Sequence, residues 1–112
     1  MQGQSYRPLP KKLTLKKSKI EGIGLFATRK IPKDTNLGVT HINSSLDIST
    51  IIRTPLGGFY NHSENPNCKK KVSVKQRSHG ECRDLFVQYE LITIRDIEKG
   101  EELTVYYSFY NI

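Results

Sequence analysis

The sequence predicts one mostly-β domain, and three observations carry that expectation. No stretch holds an apolar stripe at helical spacing over three or four turns. The apolar residues gather instead in short runs that alternate or are rich in β-branched and aromatic side chains, as in "LTLKKSKI", "DLFVQYELITI" and "ELTVYYSFY". Glycine, proline and polar clusters separate these runs at short intervals. A length of 112 residues suffices for one modest core and falls short of two.

Taken in order, residues 1–10 contain Pro8 and Pro10 without periodicity and read as a flexible basic arm, leaving residues 11–112 as the domain. A strand is expected from Leu13. Leu25-Phe26-Ala27 follow a glycine-rich bend. Pro32, Gly38 and the polar run Asn43–Ser45 break up what comes next. Asp84 to Ile94 exceeds an average strand, so it is either one long strand or two joined by a bend. One internal echo also appears. "RKIPKDTNLGV" (Arg29 to Val39) aligns with "RDIEKGEELTV" (Arg95 to Val105), which predicts two corners of similar shape.

Composition narrows the function classes. No apolar run approaches the ~20 residues of a membrane span, and "MQGQSYRPLPKK" lacks the apolar region of a secretion signal. The expectation is a soluble, unsecreted, cytoplasmic chain. Both sequon matches, at Asn43 and Asn61, then read as coincidental, and Cys68 and Cys82 as reduced, buried small side chains. His62, Cys68, His79 and Cys82 are zinc-type ligands, but they lack the paired Cys-x2-Cys spacing of structural sites. The formal charge is +7. It concentrates in residues 1–20 and in Lys69, Lys70, Lys71, Lys75 and Arg77. Such a balance suits nucleic acid or an acidic protein surface, and equally a solvated face. Neither cluster interleaves the aromatics on which single strands stack.

Three motifs occur in order: "EGIGLF" (Glu21 to Phe26), "GGFYNHSENPNC" (Gly57 to Cys68) and "GEELTVYY" (Gly100 to Tyr107). Each is common alone, but together they resemble the SET-domain family of protein lysine methyltransferases, over roughly Leu13 to Tyr110. The resemblance implies a compact β-clip fold with short sheets, in which the Asn-His segment and the C-terminal strand cross in a pseudoknot-like arrangement. It implies S-adenosylmethionine as methyl donor and a protein lysine as acceptor. Gly22, Ile23 and Gly24 would offer backbone to the cofactor, with Leu25 and Phe26 packed beneath. Tyr60, Asn61 and His62 would complete the cofactor site, and Tyr107 would be the catalytic tyrosine. In an extended strand Val105, Tyr107 and Phe109 share a face, so Phe109 and Tyr110 are the expected substrate-channel residues.

The sequence departs from the family pattern in places. Glu64 stands where many members carry a cysteine, and no cysteine-rich tail follows Tyr107. The channel lid is then expected from Phe109, Tyr110, a partner subunit in a homodimer, or the substrate. The spacer from Gly38 to Leu56 is short where relatives read their substrate. This pared-down form resembles the single-domain versions of viruses, phages and some bacteria, which would place it in a host cytoplasm if viral.

Overall fold

The computed structural model describes residues 9–44, 47–80 and 82–106. Among these the chain is mostly strand, with no α-helix and one 3₁₀ turn at Pro55–Gly58. Among the described residues no helix is long and apolar enough to cross a membrane.

Strands β1 (Leu13–Lys17) and β2 (Ile23–Ala27) form an antiparallel pair from Leu13↔Ala27 to Lys17↔Ile23. The larger sheet contains β3 (Asn36–Ser44), β4 (Asp47–Arg53), β5 (Asn61–His62), β6 (Cys68–His79), β7 (Cys82–Thr93) and β8 (Thr104–Val105), in the order β4-β3-β7-β6-β8-β5. Its long hairpin, β6 with β7, runs in register from Cys68↔Thr93 to His79↔Cys82. The apolar segment after Asp84 is thus part of one strand, β7. Strand β6 has no sequence expectation behind it, because lysines dominate "CKKKVSVKQRSH" and lysine is depleted in strands. Only Val72 and Val74 hint at period two.

Where the sheet reaches β8 the pairing turns parallel, with Cys68↔Val105 on one side and Asn61↔Thr104 and His62↔Val105 on the other. A parallel partner cannot come from a tight hairpin. The Asn-His segment and Thr104–Val105, far apart in sequence, are therefore brought together by the fold itself, and this is the crossing of a β-clip.

The two echoing segments dock onto each other. Ile31 and Ile97 exchange N–H···O=C bonds of 2.8 Å in both directions. Asp34 N–H donates to Thr93 C=O at 2.9 Å and Thr93 N–H to Thr35 C=O at 3.0 Å. Gly100 N–H donates to Ala27 C=O at 2.8 Å and Ala27 N–H to Glu101 C=O at 2.9 Å, which is the same pattern from the other copy. Leu25, Ile31 and Leu37 of one copy and Leu91, Ile97 and Leu103 of the other are all buried. The core thus sits on an approximate two-fold axis between the corners, each wholly buried aliphatic side chain contributing about 1.5–3 kcal/mol.

Candidate functional site

The site forms where β5 meets β8, and the alternation of a strand divides it into two flanks. Asn61 points one way, while Tyr60 and His62 point the other.

On the first flank Asn61 joins a polar network. Its Nδ2 lies 2.8 Å from Glu102 Oε2, 3.1 Å from Ser18 Oγ and 3.2 Å from the Glu21 carbonyl oxygen. Ser18 Oγ donates to the Glu102 carboxylate at 2.9 Å and accepts the backbone N–H groups of Ile20 and Glu21 at 2.8 and 3.2 Å. Ser18 N–H closes the bend by donating to Gly22 C=O at 2.7 Å. One serine and one carboxylate therefore hold the 18–22 bend against the crossing. Both glycines of "GIG" have a steric reason here. Gly22 adopts φ +51°, a left-handed conformation that glycine adopts at little cost. A side chain at Gly24 would overlap the Glu102 carboxylate, with Glu102 Cδ 2.9 Å from its Cβ position.

A second clip lies behind the first. Asn67 Oδ1 accepts Thr104 N–H at 2.8 Å, and its Nδ2 donates to Glu102 C=O at 2.8 Å and Glu101 Oε2 at 3.3 Å. The Asn67 amide thus acts as a short piece of strand for residues 102–104. Arg95 Nη2 meets Glu101 Oε2 at 2.6 Å. Burial pulls the Glu101 carboxyl upward, but hydrogen bonds from Arg95, Glu98 N–H and Asn67 outweigh it and hold the group below its ordinary range.

The opposite flank is aromatic and basic. His62 and Tyr106 rings lie 5.1 Å apart, tilted by 53°. The buried Tyr60 ring meets His41 edge-on at 6.4 Å and carries the Lys70 ammonium 5.8 Å from its centroid, a cation–π geometry. Burial lowers Lys70 to about 8. A cavity of about 240 Å³ opens here, lined by Pro66, Cys68, Lys69, Lys70, Ile94, Val105 and Tyr106. Burial pushes the Cys68 thiol up to about 12, so it stays a neutral side chain in the cavity wall.

Of the residues expected from sequence, Gly22, Gly24 and Asn61 meet around Ser18 and Glu102. Ile23 is half exposed beside them, at 49%. Leu25 is wholly buried and its carbonyl accepts Leu103 N–H at 2.8 Å, and Phe26 bridges Glu102 by main chain. Tyr60 and His62 stand on the other flank. Tyr107, Phe109 and Tyr110 lie outside the described residues, one to four positions past Tyr106. Sequence reasoning gave no role at the cofactor site to Ser18, Asn67 or Glu102. The last two stand inside the motifs "NHSENPNC" and "GEELTVYY", so the signal was present without an assigned chemistry. Ser18 carries no signal beyond being a serine before a bend.

The geometry agrees with comparisons to known proteins. The family model described as "SET domain" matches residues 40–108, more than half of the chain. Among solved structures, a Plasmodium falciparum protein provisionally described as a histone methyltransferase superposes with a TM-score of 0.61 at 20% identity, covering 90% of this chain and 96% of that one. A chain of the apo ctPRC2 assembly with substitutions in Ezh2 gives a TM-score of 0.55 at 20% identity, covering 86% of this chain and 15% of that one. No curated protein sequence matches.

Proposed function

We propose, from the premise that the chain belongs to the SET-domain family, that it transfers a methyl group from S-adenosylmethionine to a lysine side chain of a protein. The observation that carries this reading is the parallel pairing of Asn61-His62 with Thr104-Val105. It places the Gly22–Gly24 bend, the Asn-His segment and the residues leading to Tyr107 around one crossing.

The residues present fit such a cofactor. At Gly22 no atom lies within 4 Å of where a side chain would be, so the backbone there is open to a ligand. Ile23 adds exposed apolar surface. Asn61 and the Glu102 carboxylate supply polar partners suited to the charged amino-acid portion, and His62 with Tyr106 offers an aromatic edge to the flat base. When bound, S-adenosylmethionine supplies an electrophilic methyl group on a sulfonium. What the chain must do is hold the acceptor amine in line with it, and positioning of that kind supplies much of a rate enhancement.

The acceptor must also be neutral. At a reference pKa of about 10.4, deprotonating lysine at pH 7 costs roughly 4.6 kcal/mol. An apolar channel wall reduces that cost by disfavouring the ammonium. Phe109 and Tyr110 are the proposed wall. Tyr107, with a reference pKa near 10, is assigned to orienting the amine lone pair rather than to removing its proton.

The test is transfer of a labelled methyl group to proteins of a cell lysate. Tyr107→Phe is expected to lower transfer by roughly 10²-fold, the scale of losing one positioned polar group, while cofactor binding persists. Wild-type protein that binds the cofactor yet labels no protein would refute the assignment of activity.

A further inference from the structure

The family assignment leaves the substrate's chemical character open, and the charges around the aromatic flank bear on it. A basic chain acting on a basic tail would need a local acidic groove, and the carboxylates nearest the crossing in sequence are Glu64, Glu101 and Glu102. Two of the three are engaged within the fold and do not line the cavity. Glu101 is engaged by Arg95, Asn67 and Glu98 N–H. Glu102 is engaged by Ser18 and Asn61, on the flank away from the cavity. Only Glu64 stands exposed.

The cavity rim has the opposite sign. Lys69 is exposed and Lys70 half-buried, and both line the 240 Å³ space together with Val105 and Tyr106. Lys71 follows on β6 with Glu90 opposite it in register, and Lys70 already stands over the Tyr60 ring, so the exposed Lys69 carries the argument and Lys70 supports it. The remaining lining is neutral: Pro66, Cys68, Ile94, Val105 and Tyr106.

We propose that the Lys69–Lys70 rim of this flank, beside the His62–Tyr106 edge given to the cofactor's base, is the substrate-docking surface and that it takes an acidic peptide segment, one in which Asp or Glu flanks the target lysine and pairs with Lys69 and Lys70. The proposal rests on the methyl-transfer reading for the lysine's fate, and on charge complementarity for the segment that carries it. Burial works against the charge of Lys70, and an incoming carboxylate restores it, so the pair gains from being partly desolvated. A lysine flanked by basic residues meets like charges instead.

Two peptides with the same central lysine, one flanked by Asp and Glu and one by Lys and Arg, decide the matter. Binding is followed by fluorescence anisotropy and methyl transfer by label. The acidic peptide is expected to bind at least tenfold tighter at low salt, with the gap narrowing at high salt as surface charges are screened. Lys69→Glu, at an exposed position that tolerates substitution, is expected to erase or reverse the preference, and Lys70→Met to weaken it. Equal binding, preference for the basic peptide, or an acidic preference untouched in Lys69→Glu would overturn the proposal. Selective binding of the acidic peptide without transfer would support the docking surface and refute the methyl-transfer reading alone.

Discussion

The segments Leu25–Val39 and Leu91–Val105 share a skeleton and differ in what they do with it. Each runs from a strand end through an isoleucine bridge and a turn with positive φ, at Asp34 (65°) and Gly100 (87°). Each then docks on the other's strand end through the same pair of main-chain bonds. Position 36 of the first copy corresponds to position 102 of the second. Asn36 pairs with Ile92 across the sheet, and its Oδ1 turns back to accept Gly38 N–H at 2.9 Å. Glu102 pairs with Phe26 in the same way, but its carboxylate reaches out to Ser18 and Asn61. The first copy continues into nine residues of antiparallel strand, Asn36–Ser44, while the second continues into the two-residue parallel strand at the crossing. Backbone symmetry supplies the frame, and the candidate site lies where side chains break it.

The strongest challenge to this equivalence is at its centre. Ile31 and Ile97 are both fully buried, so Ile31→Ala and Ile97→Ala should each cost about 2–5 kcal/mol, measured by urea denaturation. Because they share one bridge, the double variant should depart from additivity by roughly 0.5–3 kcal/mol. A large cost at one site with almost none at the other would show that the copies are alike in shape only.

Acid should separate the two copies. His41, on the strand that follows the first corner, is lowered from 6.5 to about 4 by burial and by the charges of Lys70 and Arg53. A histidine held neutral in the fold is protonated first in the unfolded chain. Stability therefore starts to fall below pH 6.5 and goes on falling to about pH 4, by on the order of 3 kcal/mol in all. In the second copy Glu101 has a carboxyl held below its ordinary 4.5. Its contribution is intact above that value and is lost only as pH falls through the lowered folded value. Denaturation midpoints at several pH values should show two stages. His41→Gln should flatten the upper stage and Glu101→Gln the lower.

How much of this was legible in the sequence follows from where each signal lies. The echo of Arg-x-Ile…Leu-x-Val is anchored in the buried Ile31, Leu37, Ile97 and Leu103, so both corners could be read, although not their mutual docking. Asn61 was legible because its neighbours form an unusual motif. Strand β6 was not, since a strand whose Lys69, Lys71, Val72, Val74 and Lys75 face water has no need of the apolar alternation that marks a half-buried one. The division of the site into two flanks was equally hidden. It depends on β5 being only two residues long and on which side of it each neighbour lands.

Smaller effects probe the asymmetry itself. Asn67→Ala removes the amide that closes the second copy and leaves the Thr104 N–H and Glu102 C=O without their buried partner. The expected cost is about 1–3 kcal/mol. At the exposed Asn36, the same change should stay within about 0.5 kcal/mol. Glu102→Ala should also weaken S-adenosylmethionine binding measured by calorimetry, while Asn36→Ala leaves it unchanged. Equal effects at 36 and 102 would mean that the carboxylate network plays no part in the site.

The finest contrast is at the turn residue. Asp34 and Gly100 both hold the left-handed conformation, which costs a non-glycine residue roughly 1–2 kcal/mol and aspartate less than most. Gly100→Ala should therefore destabilise by about 1 kcal/mol, and Gly100→Asp by less, since the matching corner already carries that residue. Asp34→Gly relieves the strain in the folded chain but loosens the unfolded one, so its net effect should be only a few tenths of a kcal/mol. No atom lies within 4 Å of a side chain placed at Gly100, so a larger loss in Gly100→Asp cannot come from crowding. It would have to come from a second negative charge beside Glu101, and adding salt should then restore the stability that the substitution removed.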